Sequence, residues 1–196
     1  MDHVTDPGTV LVLRCPTAAD FEVWLDANHD RHPGIWLEIA KKDSHDRSVT
    51  YAEAVELALC FGWIDGQKRR GEDEHWLQRF TPRSSRARWS RINRDKARKL
   101  IAAGRMRPAG LAEIDRARAD GRWAAAYNGQ SRAAVPDDLQ RELDGDPQAR
   151  AAFADLDAKN RYSIIFRIND AKRPETRARR IAKYLDMLRR GERIHG

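Results

Sequence analysis

Apolar positions change their period along the chain, and each change marks an element. Val10-Leu11-Val12-Leu13 is a short continuous apolar run closed by Cys15-Pro16, which predicts a strand over 10–14. Thr17 with Asp20 three residues on has the form of a helix N-terminus, and Phe21, Trp24, Leu25 and Asn28 continue at helical spacing until Pro33-Gly34 stops them. Ile35 to Ala40 predicts a second strand, apolar enough to be central in a sheet. Thr50-Tyr51-Ala52-Glu53 is a capping box, and Ala54, Val55, Ala58, Leu59 and Phe61 describe a helix buried on most of its circumference. Gly62 suits a left-handed turn after it. Trp63 to Lys68 and Trp76 to Phe80 then predict a hairpin that turns at residues 71–74.

From Thr81-Pro82 the pattern becomes helical. One helix is expected from Ser90 to Ala103 with Ile92, Ala97, Leu100 and Ile101 inward, and another after Pro108 with Leu111, Ile114 and Ala117 inward and Gly121 at its end. Residues 128–132, Asn-Gly-Gln-Ser-Arg, are polar and lack apolar anchors, which marks a linker. Beyond it four helical stretches follow, three opened at Pro136, Pro147 and Pro174 and one marked by Tyr162, Ile165, Phe166 and Ile168, and no strand is needed. The fold expected is α+β: a small sheet with helices in an N-terminal domain over 8–127, then a smaller all-α domain over 133–190.

Composition changes the picture in two respects. Mean hydropathy is −0.77, and no apolar run is long enough to span a bilayer; the N-terminus also lacks the basic and apolar regions of a signal peptide, so a cytoplasmic protein is expected. Cys15 and Cys60 form no metal-ligand or redox spacing, and Cys60 reads as a small buried hydrophobe. The net charge of +7 is uneven: residues 67–99 carry twelve Lys/Arg against four acids and residues 172–190 eight against two, which leaves the remainder acidic at −7. Two basic windows point to an anionic partner, either an unidentified anionic ligand or an acidic protein surface, with nucleic acid as the alternative.

The candidate chemistry lies in those windows. Asp65, between Ile64 and Gly66, reads either as a buried partner of Arg79 or Arg83 or as part of a pocket with Trp63 and Trp89 as walls and Gln67, Arg79 and Arg83 as polar contacts. Alternation along the strands assigns Arg79 to the ion pair, and the loop position after Pro82 assigns Arg83 to the pocket. A lone carboxylate without a second titratable partner is poor equipment for general acid/base work, so an enzyme acting on a small acidic substrate in the Trp63/Asp65 pocket ranks behind both binding readings and no catalytic residue is named. Lys172, Arg173, Arg177 and Arg180 form a row suited to anions or phosphates at the start of the last helix. Gly66 to Gly71 has the glycine spacing of a phosphate loop, but Glu72 stands where its lysine should begin. His29 and His32 lack a third ligand, His75 reads as part of a solvated turn, and neither a metal nor a cofactor is implied.

Two blocks carry a resemblance. Residues 60–66 (Cys-Phe-Gly-Trp-Ile-Asp-Gly) with Leu77-Gln78-Arg79-Phe80-Thr81-Pro82-Arg83 and Trp89-Ser90, then Asn160-Arg161-Tyr162 through Ala171 to Ile181, resemble the bacterial bacteriocin-protection family, also described as YdeI or OmpD-associated, along nearly the whole chain. The resemblance implies an OmdA-like C-terminal domain and a non-enzymatic role in stress protection against bacteriocins and cationic antimicrobial peptides. It also implies association with an outer-membrane porin, and brings no catalytic residues. The chain departs from that picture in its cationic windows, which repel a cationic peptide.

Overall fold

Four strands and eight helices form over residues 10–72, 74–128 and 133–195, the part of the chain described by a computed structural model. Residue 73 of the expected hairpin turn, residues 8 and 9 at the expected domain start and linker residues 129–132 lie outside it. The chain divides into two units, one ending at Tyr127 and one beginning at Asn128. The fold is α+β, with the sheet in the first unit and helices alone in the described part of the second.

In the first unit β1 (Val12–Arg14) pairs parallel with β2 (Ile35–Ala40), and α1 (Ala18–Asn28) makes the crossover between them. The hairpin of β3 (Trp63–Arg70) and β4 (His75–Pro82) adds antiparallel through β4, so the sheet order is β1-β2-β4-β3. Both capping boxes form: the Thr17 hydroxyl accepts from the Asp20 amide, and Thr50 does the same for Glu53 at the start of α2 (Tyr51–Cys60). Helix α2 buries Ala54, Val55, Leu57, Ala58, Leu59 and Cys60, most of its circumference. Gly62, at φ +75°, turns the chain from α2 into β3, a conformation costly for any residue with a Cβ. The register shifts between Asp65 and Lys68, and buried Gln78 fills the irregularity by donating to the carbonyls of Gly66 (2.9 Å) and Gln67 (3.2 Å).

Helices α3 (Arg91–Ala102) and α4 (Pro108–Ala119) complete the unit, with two corrections to the expected inward faces. Ile92 is 52% exposed and Leu111 38%. Helix α4 buries Gly110, Ile114 and Ala117 instead, because it crosses the end of α2 so closely that only a glycine fits at the contact. Burial pushes the Cys15 thiol up to about 12 and raises that of Cys60, so both remain protonated packing groups.

The second unit is built from α5 (Asp137–Asp144), α6 (Pro147–Ala154), α7 (Ala158–Asn169) and α8 (Pro174–Arg189) around Leu139, Leu143, Phe153, Ile164, Ile168, Ile181 and Leu185. Asp146 and Asp157 cap α6 and α7, and Asp138 pairs with Arg177. The Arg177 hydrogen bond holds Asp138 below the usual carboxylate range, and backbone amides hold Asp146 and Asp157 there. A carboxylate depressed in the folded state stabilises it above its unfolded pKa of about 3.9 and loses that contribution as pH falls through the folded value. The melting temperature of this unit should therefore be flat from pH 7 to about 5 and fall below about pH 4. Loss beginning near pH 6 in circular-dichroism melts would contradict that assignment.

Candidate functional site

Strand alternation separates the side chains that the sequence grouped into one pocket. Asp65 and Phe80 face each other in the register, as do Trp36 and Arg79, so Asp65 and Arg79 project from opposite sides of the sheet. Among the described residues neither Arg79 nor Arg83 forms an ion pair with Asp65; its Oδ2 accepts from the Tyr51 hydroxyl at 2.6 Å. Trp63 is a core residue rather than an open wall, 1% exposed, with its indole donating to the His29 carbonyl at 3.0 Å. Gln67 is exposed on the edge strand β3.

Arg79 belongs to the outer face of the sheet. There Trp36 lies outside the core cluster, roofed by the guanidiniums of Arg69 (4.4 Å) and Arg79 (5.8 Å). Burial and then the neighbouring Arg69 charge lower the pKa of Arg79. Arg83 and Trp89 do meet, the guanidinium 3.8 Å from the ring centroid, but both are buried rather than open to a pocket. His75 is buried, not in a solvated turn: it opens β4 opposite Ala40, and its Nε2 lies 3.2 Å from Arg14 Nη2 and 3.6 Å from Asp46 Oδ2. His29 Nδ1 lies 3.0 Å from the Leu25 carbonyl, and His32 Nδ1 faces the Gly34 amide at 3.3 Å.

The C-terminal arginine row is largely occupied. Arg177 Nη2 donates to Asp138 (2.8 Å) and Nη1 to the Ile168 carbonyl (3.1 Å), while Arg180 donates to the Arg167 carbonyl. Both arginines thus add side-chain donors to carbonyls in the last turn of α7. Lys172 and Arg173 are exposed ahead of α8.

A cleft that the sequence did not announce opens where β1 and β2 end and α1 and α2 begin. Its volume is about 690 Å³, and its lining includes Lys41, Lys42, Arg47, Ser48, Tyr51 and Trp76. Tyr51 packs against Trp76 with ring centroids 5.8 Å apart, and Lys68 Nζ lies 4.0 Å over the Trp76 ring. The two carboxylates in the lining are engaged within the fold, Glu53 as the cap of Thr50 and Asp46 by Arg14 at 2.8 Å. Among the described residues no ion pair neutralises Lys42 or Arg47, so the rim keeps positive charge. Burial and the Asp65 hydrogen bond raise the pKa of Tyr51, and the Thr50 hydroxyl and amide lower that of Glu53, so neither changes protonation near neutral pH. The available signal for this site was topological. Two capping boxes follow two strands that a helical crossover makes parallel, and ligand crevices form outside the carboxyl ends of such strands.

Comparison with known proteins divides the chain in two. Residues 13–113 match the family model described as Domain of unknown function (DUF8412). Residues 132–191 match the one described as Bacteriocin-protection, YdeI or OmpD-Associated. The resemblance read from two blocks is thus confined to the C-terminal segment, since the block at residues 60–90 falls under the first model. No curated protein and no solved structure matches the chain.

Proposed function

We propose that this chain, which belongs to the family described as a domain of unknown function (DUF8412) and carries a bacteriocin-protection domain over residues 132–191, acts as a non-enzymatic binding protein in stress protection. Its ligand is a small anionic molecule held in the cleft at the ends of β1 and β2. The observation that carries this reading is the cleft itself. Its volume is within the range of small-molecule sites, and its two carboxylates are engaged within the fold, Asp46 by Arg14 and Glu53 by hydrogen bonds from Thr50, while no ion pair among the described residues engages Lys42 or Arg47. Tyr51 and Trp76 supply apolar contact area beside those charges. Binding is favoured over catalysis because Tyr51 and Glu53, the groups placed for proton transfer, are locked in one protonation state around neutral pH.

Reversing the rim charge tests the reading. Lys42→Glu with Arg47→Glu changes exposed side chains only, so the fold should survive. Titration of small anionic metabolites followed by tryptophan fluorescence should show affinity lowered by roughly tenfold or more in the double variant. Unchanged affinity would remove the cleft as the site.

A second reading, nucleic-acid binding, rests on the exposed basic edge at Lys68, Arg69 and Arg70 beside the Trp36 face. It requires binding that collapses between about 50 and 200 mM salt. Failure to retain DNA or RNA at low salt excludes it.

A further inference from the structure

Among the described residues Arg83 is the one lysine or arginine that is buried outright, with 5% of its surface exposed. Its backbone amide donates to the Gly62 carbonyl (2.9 Å), its Nη2 to the Arg88 carbonyl (3.0 Å), and its guanidinium carbon lies 3.8 Å from the centroid of the Trp89 ring. Nε and Nη1 have no partner. Burial draws its pKa down to about 10, opposed first by the charge of Glu113, so the group is still a cation at neutral pH. A buried cation with one carbonyl for company is expensive unless something else answers its charge.

The neighbouring groups share the deficit. Trp89 Nε1 is buried without an acceptor. Arg122 donates through Nη1 to the Ala87 carbonyl at 2.7 Å and through Nε to Asp120 Oδ2 at 2.7 Å, which answers its charge, while its Nη2, 2.7 Å from the same carboxylate oxygen, makes no aligned hydrogen bond. Two guanidiniums therefore tie down consecutive carbonyls of the 84–88 segment, while other donors of both stay buried and unpartnered. Against these four unpartnered donor nitrogens stands one unpartnered acceptor, Glu113 Oε2, on the carboxylate whose Oε1 pairs with Arg116 at 2.8 Å. Water can serve these donors only by passing its own hydrogens on to carbonyl oxygens or further water; an oxyanion brings acceptors alone and answers the charge of Arg83 as well.

We propose that Arg83, Trp89 and Arg122 form an oxyanion site beside residues 84–88, and that Glu113 makes it selective for inorganic phosphate. A deprotonated carboxylate oxygen repels an anion unless the anion carries a proton to donate. Phosphate at neutral pH retains an O–H for Glu113 Oε2, whereas sulfate has none. The ligand is the free phosphate ion, since a phosphomonoester has lost its last O–H at this pH, and entry requires the 84–88 segment to lift from its two guanidinium anchors. This site is separate from the cleft.

Thermal melts at constant ionic strength decide it. At pH 7.5 saturating inorganic phosphate should raise the melting temperature of the wild type by about 5 °C over chloride, and sulfate by much less. Glu113→Gln supplies an amide donor in place of the acceptor and should reverse the preference toward sulfate. Trp89→Phe, which keeps the ring and loses the N–H, should weaken the phosphate response. Glycerol phosphate, doubly deprotonated at this pH, should stabilise no better than sulfate, and stabilisation equal to that by inorganic phosphate would overturn the role given to Glu113. The proposal fails if neither anion exceeds chloride, or if phosphate and sulfate stabilise the wild type alike. A Glu113→Gln variant too unstable to melt cleanly leaves the wild-type comparison to decide.

Discussion

Gly110→Ala should lower the melting temperature of the N-terminal unit by about 10 °C, although alanine is the better helix former. A Cβ at this position of α4 would stand 2.3 Å from the Cys60 carbonyl oxygen, 2.7 Å from that of Leu59 and 2.7 Å from Met106 Cε. The methionine can move. The two carbonyls belong to the last turn of α2, which leads directly into Gly62 and buried Trp63, and cannot yield without carrying the sheet junction along. Propensity favours the alanine by about 0.5–1 kcal/mol. Overpacking against fixed backbone costs about 1–3 kcal/mol, occasionally more, and at this distance the upper end applies. The net loss is roughly 2 kcal/mol, equivalent to about 4–8 °C per kcal/mol in a unit this size. Gly145→Ala is the control: φ is −80°, and a Cβ there meets nothing closer than 3.7 Å, so that variant should melt at or slightly above the wild-type temperature.

The other large effect is expected in the second unit. Ile164, fully buried in α7, loses its packing and leaves a cavity on substitution by alanine, at a cost of about 2–5 kcal/mol. A helical unit of this length has a small core and a correspondingly small stability margin, so Ile164→Ala should leave it largely unfolded at room temperature. We propose that the units are independent folding domains, over 8–127 and 133–190, and the tryptophans make this testable. All six, at positions 24, 36, 63, 76, 89 and 123, belong to the first unit. In Ile164→Ala, far-ultraviolet circular dichroism should lose helical signal while the tryptophan fluorescence melt stays in place, and limited proteolysis of the wild type should cut first near residues 128–129. A tryptophan transition that shifts with the variant would show one cooperative fold.

The elements were legible because their signals are local. Capping boxes at Thr17 and Thr50, Pro108 and Pro174 at first-turn positions and the α2 apolar set each declare themselves within a few residues. Helix faces were less so. Leu111 and Ile92 are apolar and correctly spaced, yet the choice of inward stripe in α4 was made by a glycine, whose role depends on how near α2 passes. The sites were hardest to see. The cleft joins the end of β2, the capped starts of α1 and α2 and a side chain of β4, none unusual in its own segment. The Asp65 pairing failed on parity: Asp65 opposes Phe80, and Arg79, one residue on, faces the other way. The arginine row of α8 was visible as charge, but its use in closing the end of α7 depends on how the helices pack.

Native mass spectrometry of protein purified under non-denaturing conditions tests the central claim, an anion-binding cleft at the ends of β1 and β2, most directly. The wild type should carry a small-molecule adduct, and the Lys42→Glu, Arg47→Glu double variant, with the same melting temperature, should not. An identical adduct on both proteins would contradict the account, because a ligand indifferent to the rim charge is not held in that cleft.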